Sequence, residues 1–540
     1  MRLSFVGKTK LPVLMVVFLF FLASEAIAQE QGDAFVVGSI SDARTLLPII
    51  ASDSASQDVC SMIFNGLLKY DKNLNLIGDL AQSWEVKDGG LLILFHLKKN
   101  VFWHDGQPFT AKDVEFTYRQ LTNPAVRTPY SGDFERVKTF EVLDDYTIRV
   151  IYKEPFAPAL SSWGMPIIPK HLLESQDLNT SAFQRMPVGT GPYVFKKWKS
   201  QNYIELVSNS GYFERMPFIG RYITRVIPDE STMFLELQAE GLDAAGISPL
   251  QYYRQTDTGF FKKKYYKFRL PSFSYLYLGY NLKRGLFKDR RVREALNYAV
   301  NKQELIDMVL LGYGSIANGP FVPQSWAYDA QFPAAAFNQK KARSLLKDAG
   351  WNDDDHDGIL EKGAVPFEFT ILTNQGNEER NKVAQIIQKR LKEVGVRVKI
   401  KVLEWSVFLT ECINKRDFDA VLLGWSLSRD PDNFDIWHSS KTKPGEFNFI
   451  GYANQEVDEL LVQARKTFDQ AKRKDYYFKI NTLIYTDQPC MFLYVADNLF
   501  VVHRRFRNIE PGPSGIWHNF IDWWVPRAEQ KYRGRAAIAL

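Results

Sequence analysis

Phe367-Glu-Phe-Thr-Ile-Leu-Thr-Asn-Gln-Gly-Asn-Glu-Glu-Arg-Asn-Lys-Val-Ala-Gln-Ile-Ile-Gln-Lys-Arg-Leu-Lys-Glu-Val-Gly-Val-Arg-Val-Lys-Ile-Lys-Val402 changes its hydrophobic period twice. Phe367, Phe369 and Ile371 alternate, as in a strand half-buried on one face. Val383, Ile386, Ile387, Leu391 and Val394 then fall on one stripe of a helix, which Gly395 closes. Val396, Val398, Ile400 and Val402 alternate again. Strand, helix, strand with short links is a βαβ unit, so a parallel sheet with a right-handed crossover is expected. The class is α/β.

The same grammar extends outward on both sides. A shorter helix around Ser406–Lys415 leads to a third strand at Asp419–Gly424. Upstream, Val292, Ala295, Leu296 and Ala299 form a helical stripe behind Asp289 as cap, and Asn301 with Glu304 opens another helix. Ala342, Leu345, Leu346 and Ala349 repeat the spacing and end at Gly350.

This geometry places a ligand before any chemistry is considered. Open α/β sheets bind beyond the carboxyl ends of their strands. Three such ends occur here, at Thr373–Asn377, Glu404–Trp405 and Trp425–Asn433. The candidate ligand-binding residues are therefore Asn374, Trp405, Trp425, Ser426, Ser428, Asp430, Asp432 and Asn433, with Asn281 at the polar boundary that precedes this half. A tryptophan by itself is as readily a core aromatic. Two on one rim are a stronger sign.

The N-terminal half has a different grain. Ala34–Ile40 reads as a strand and Asp53–Leu68 as helical. Leu91–Leu97 pairs back on Ser83–Lys87 across Asp88-Gly89-Gly90, a tight-turn signal. Thr110 and Asp113 then form a capping box. Tyr146–Tyr152, Tyr193–Lys199, Tyr203–Ser208, Asp243–Ile247 and Ser272–Asn281 read as strands, with a short helix at Ser231–Gly241. Gly189-Thr190-Gly191 lacks the Gly-Lys-Ser/Thr ending of a phosphate loop and precedes a strand. Hinges are expected near Asn281–Lys288 and Asn498–Arg505.

Residues 1–28 have the layout of a cleaved secretory signal: Arg2, Lys8 and Lys10, an apolar run Leu11–Leu22, and Ala26-Ile27-Ala28. The chain after it starts at Gln29, not Cys, so export to a periplasm without a lipid anchor is expected. The 68 basic and 62 acidic residues give +6, and +4 once residues 1–28 are removed, with no nucleic-acid footprint. The three cysteines, Cys60, Cys412 and Cys490, require no bridge.

Four runs resemble one family. Leu94-Phe-His-Leu-Lys-Lys-Asn-Val-Phe-Trp-His-Asp-Gly-Gln-Pro-Phe-Thr-Ala-Lys-Asp-Val114 is similar to the signature of family 5 extracellular solute-binding proteins, the oligopeptide- and dipeptide-binding components of ABC importers. Gly189–Tyr193, Phe287–Ala299 and Gly424–Phe434 resemble its Gly-Thr-Gly-Pro-Tyr element, its D-x-R-V-R helix and its cleft loop. The resemblance implies a two-lobed periplasmic-binding-protein fold, class II-like, with an extra α+β domain in the N-terminal half. Lobe I would comprise 29–65, 185–283 and 500–540, the extra domain 66–184, and lobe II 284–499. It implies a monomer that closes on an oligopeptide or similar small solute and meets the membrane through the permease subunits of an ABC transporter.

Ligand identity follows the family less well. Peptide-binding relatives hold the α-amino group with an Asp where Ser428 stands here, and dipeptide binders use an Arg that Thr373–Asn377 lacks. Asp430 or Asp432 could capture an amine instead. A longer peptide held through its backbone is the expectation, an oligosaccharide stacked on Trp405 and Trp425 the alternative. A secreted hydrolase is the remote one: there is no G-x-S-x-G or H-E-x-x-H, and Ser426 and Ser428 have no base in sight. Asp353-Asp-Asp-His-Asp-Gly358 has the spacing of a calcium loop, but Ala364 stands where the bidentate Glu belongs, so a solvated acidic turn is expected. No metal and no cofactor are expected.

Overall fold

The βαβ unit is present as read. In the computed structural model, which describes residues 31–333, 336–375, 377–443 and 445–532, Glu368–Asn374 and Arg397–Leu403 pair in parallel, from Glu368 opposite Arg397 to Asn374 opposite Leu403. The segment read as a signal lies outside the described residues. Helix Glu378–Lys392 connects the two strands and buries Val383, Ala384, Ile387 and Leu391. Gly395 ends it at φ +84°, a conformation that residues with a Cβ adopt reluctantly. Ala420–Ser426 joins in parallel on the other side of Glu368–Asn374.

These strands belong to a six-stranded sheet in the order Gly314–Ile316, Cys490–Ala496, Ser274–Tyr280, Ala420–Ser426, Glu368–Asn374, Arg397–Leu403. A seven-stranded sheet forms the other lobe, in the order Tyr265–Leu270, Asn498–His503, Ala244–Gly246, Gly32–Ser39, Ile219–Val226, Tyr203–Ser208, Tyr193–Lys199. The chain crosses between the sheets twice, through Pro271-Ser272-Phe273 and through Asp497. This moves the first hinge. The sequence reading put Ser272–Asn281 before the hinge, yet Ser274–Tyr280 pairs with Ala420–Ser426 and Cys490–Ala496, all in the second lobe.

The hairpin of the opening signature is Ala81–Lys87 against Leu92–Leu97, in a four-stranded antiparallel sheet completed by Thr147–Tyr152 and Val137–Asp144. Helix Ala111–Leu121 begins with the expected capping box of Thr110 and Asp113. One continuous apolar core runs from this sheet into the seven-stranded lobe, joining Phe95 and Trp163 to Phe35 and Trp523. The six-stranded sheet has a separate core on each face.

Two of the signature runs meet. Gly189 N–H donates to His104 Nδ1 at 3.2 Å, and His104 Nε2 donates to Gly191 C=O at 3.0 Å. Burial holds this imidazole neutral, with its pKa pulled down to about 4. A Cβ on Gly189 would lie 1.9 Å from Ile63 O, so the glycines here permit a close backbone approach. A third run, Phe287–Ala299, supplies Arg293, which is buried and donates to the carbonyls of Phe287, Asp487 and Gln488. All three are scaffold.

Candidate solute cleft between the two sheets

The carboxyl ends of the two sheets face each other. Helix Glu230–Gln238 starts just beyond strand Ile219–Val226, and helix Glu378–Lys392 just beyond Glu368–Asn374. Burial, and then Glu230 facing it from the first lobe, push the Glu379 carboxyl above its usual range. Tyr252 and Tyr313 stack edge to face across the same gap at 4.9 Å. Leu74, at the tip of the hairpin Leu68–Tyr70/Leu76–Gly78, packs on the core of the second lobe.

At the floor of this cleft, where the chain crosses between sheets, lies a cavity of about 330 Å³. Its walls are Pro271 to Ser274 and Asn498 at the crossing segments, and Ser426, Leu427 and Arg429 at the end of strand Ala420–Ser426 and on the loop after it. The loop reaches it because Ser426 pairs with Ser274 and Leu427 N–H donates to Phe273 C=O at 2.7 Å. Arg429 lies over the Phe273 ring, 3.8 Å from its centre. Burial pulls its guanidinium below the usual arginine range, and no carboxylate among the described residues pairs with it.

The rim residues read from the sequence divide into three groups. Trp425 and Ser426 end strand Ala420–Ser426 and Ser428 lies on the loop after it, Ser426 in the cavity wall and Ser428 donating to Asp430 C=O at 2.5 Å. Trp425 is half-buried, parallel to Tyr277 at 6.3 Å and tilted against Phe449 at 5.8 Å. Trp405 follows the edge strand, two strands away, which is roughly 10 Å; it is 47% exposed and touches Phe408. The two tryptophans share a rim but form no common stack.

The second group is already engaged. Asp430 receives both Nη atoms of Arg473, at 2.8 and 3.0 Å. Asp432 receives Nε and Nη2 of Arg465, at 3.0 and 2.7 Å. Burial alone would weaken these arginines as cations; the facing carboxylates outweigh it and hold both above their usual range. Capture of a ligand amine by either acid, which the sequence left open, is disfavoured by this geometry, since each carboxylate already holds a guanidinium. Asn433 is buried and donates to Pro320 C=O at 3.2 Å, which makes it a loop anchor.

The third group is misplaced. Strand Ser274–Tyr280 runs antiparallel to Ala420–Ser426, so its last neighbour, Asn281, lies at the opposite end of the sheet. There its amide donates to Arg416 and Phe418 carbonyls at 3.0 Å. Asn374 does sit at the rim, but it serves as a bracket: Oδ1 accepts from Arg380 Nη1 at 2.6 Å.

That bond reveals a residue missed in the sequence. Arg380, half-buried in the first turn of helix Glu378–Lys392, lies over Gly424, where an added Cβ would be 3.3 Å from Nη2. It has no ion-pair partner among the described residues, and burial lowers its pKa. One signal was readable: a cation in the first turn opposes the helix dipole, where acids are favoured. The acidic run at Asp353 folds as a turn. Carboxylate oxygens of Asp353, Asp355 and Glu361 lie within 4.8 Å of one another, and they accept the loop's own N–H groups at Gly358, Asp357 and Asp355.

Comparison with known proteins agrees with this arrangement. The model of the bacterial extracellular solute-binding proteins, family 5, matches residues 75–446. The oligopeptide-binding protein AppA of Bacillus subtilis is 36% identical over 513 residues, 92% of each chain. The chain belongs to this family. AppA solved with a nonapeptide superposes with a TM-score of 0.80 at 35% identity, covering 92% of this chain and 99% of AppA. NikZ of Campylobacter jejuni, solved with Ni(L-His), gives 0.80 at 30% identity over 91% and 99% of the two chains. The glutathione-binding protein GsiB of Pectobacterium atrosepticum is 29% identical over 83% of this chain and 86% of its own. Family 5 thus fixes a two-lobed solute-binding fold. Among the described residues no helix is long and apolar enough to cross a membrane.

Proposed function

We propose that this protein is the periplasmic receptor of an ABC importer, capturing oligopeptides between its lobes and presenting them to the permease. Residues 1–28 direct export and are removed. The protein binds and does no chemistry, without a cofactor, and works as a monomer. The observation that carries the reading is the polar cavity at the double crossover, beside the rim loop, in a chain that matches AppA over nearly its whole length.

Closure follows from differential binding. A ligand that touches both lobes favours the joined state, and moving that equilibrium from 1% to 99% takes about 5.5 kcal/mol of preference. Backbone bonds of an extended peptide to the ends of strand Ala420–Ser426 and to the crossing segments can supply such a preference. An oligosaccharide is less well served, because Tyr277, Phe447 and Phe449 already surround Trp425 and Trp405 stands apart.

The test is mass spectrometry of the solute released when the purified protein is unfolded, followed by calorimetry on refolded protein. Peptides in the released fraction, rebinding with heat and with a contraction in solution scattering, support the reading. A sugar in that fraction, or no heat with any peptide, overturns it.

A further inference from the structure

The crossover cavity is lined by one charged side chain, Arg429. The acids that follow it on the loop are taken elsewhere, Asp430 by Arg473 and Asp432 by Arg465, which also lies 4.0 Å from Asp435. Of the other polar groups of the wall, the Ser272 and Ser274 hydroxyls bond each other at 2.7 Å and the Asn498 amide donates to Pro271 C=O at 3.2 Å, while Ser426 completes the lining. Asp497, next to Asn498, is bound by Arg269. Phe273 covers a face of the Arg429 guanidinium. Stacking of this kind leaves the N–H edge, a planar fork that matches a carboxylate, directed away from the ring.

We propose that this cavity is a carboxylate subsite, in which a free carboxylate of the bound peptide forms a two-pronged bond to Arg429. The inference rests on the peptide reading above and narrows it to peptides that carry an accessible acid there, from the C-terminus or from a side chain. A carboxylate in this position touches the rim loop and both crossing segments at once, so filling the subsite is coupled to the hinge.

The experiment uses four pools of synthetic nine-residue peptides with the same neutral core. The C-terminus is acid or amide, and one glutamate is present or absent. Stripped, refolded protein is titrated calorimetrically with each pool. The expected result is that pools with a carboxylate bind about 30-fold more tightly than the neutral amidated pool, as an ionic bond in a partly buried pocket provides. Arg429→Gln should erase that preference at an unchanged melting temperature, and Arg429→Lys should keep part of it. A preference that follows the C-terminus identifies the terminal carboxylate; one that follows glutamate identifies a side chain. Wild-type protein that takes the neutral amidated pool equally well overturns the subsite and leaves the peptide reading standing. If no pool gives heat, the peptide reading falls and glutarate alone decides the subsite. Glutarate raising the melting temperature of wild type but not of Arg429→Gln upholds it, and equal responses overturn it.

Discussion

Both lobes bury arginines among carboxylates, but they balance them differently. In the seven-stranded lobe Arg505 lies between Asp33 and Asp243, with side chains 2%, 0% and 1% exposed. Its remaining N–H bonds go to Ala34 C=O, the Val36 N–H satisfies Asp243, and Lys531 Nζ stands 3.9 Å from Asp243 as the second cation. Every charge is answered inside the protein. At the rim of the six-stranded lobe, Asp430 and Asp432 are answered by Arg473 and Arg465, while Arg429 and Arg380 have no ion-pair partner among the described residues, Arg380 feeling Glu379 only at longer range. A desolvated charge without a partner is costly, so it persists where something else supplies the partner. Closed networks are architecture; open ones mark where a solute completes the count.

The sharpest way to break this contrast is at Arg505. Arg505→Ala leaves two buried carboxylates facing each other and should cost about 3–5 kcal/mol of unfolding free energy. Arg429→Gln, measured in the same urea titration, should leave the midpoint unchanged. Equal midpoints for Arg505→Ala and wild type would remove the architectural half of the comparison.

Lys302 is the apparent exception, being 5% exposed in the six-stranded lobe, with no carboxylate partner among the described residues and away from the rim. It yields its charge only above about pH 8, to which burial pulls its pKa, and below that it stays a buried cation at a cost in stability. A lysine whose folded value lies below its unfolded value binds fewer protons when folded. Its penalty is therefore fully present below pH 8 and fades as pH rises from 8 towards 10.5. Lys302→Met should raise stability at pH 7 by on the order of 3 kcal/mol, with the gap to wild type closing by pH 10. Comparing the pair matters because the buried Cys490 thiol, pushed up by burial, makes stability fall over the same range. A gap independent of pH would mean that Lys302 keeps its charge.

The sequence carried the repeating parts of this molecule and lost the long-range ones. The strands and helix of 367–402 were legible because a period of 2 and a period of 3.6 cannot be mistaken over such lengths. The rim followed from parallel pairing alone. Asn281 was misplaced because nothing local says that Ser274–Tyr280 runs against its neighbours, and the hinge slipped with it. Asp430 and Asp432 looked free because their partners, Arg473 and Arg465, stand 43 and 33 residues downstream on helices whose docking is a tertiary fact. Arg380 was hidden for a different reason: Glu378 and Glu379 precede it in the same turn, yet neither closes to an ion pair with it among the described residues, and its bond goes to Asn374 instead.

Arg380 tests the open side of the contrast at moderate strength. Arg380→Gln keeps the bond to Asn374 within reach and removes the charge, so the melting temperature should hold while ligand affinity falls about tenfold. Calorimetry with whichever solute the purified protein releases measures it. Unchanged affinity would assign Arg380 to the scaffold and leave Arg429 as the rim's open charge.

The smallest effect is expected where the halves touch outside the cleft. Lys466 pairs with Glu154 at 2.8 Å, Ala157 N–H donates to Arg465 C=O at 2.7 Å, and the Phe468 ring lies against Gly90. These contacts join the four-stranded sheet's domain to the six-stranded lobe, so a hinge opening that parts the two is expected to break them. The ion pair is 39% and 43% exposed, so its worth is that of a surface pair, below about 1 kcal/mol. Apparent affinity scales with the fraction of protein that is competent to bind. Lys466→Ala should therefore weaken ligand binding about twofold, through a larger open fraction, and leave unfolding unaltered. If it instead costs as much as Arg380→Gln, the energy of closing, and not the unanswered charges of the rim, sets the affinity of this protein.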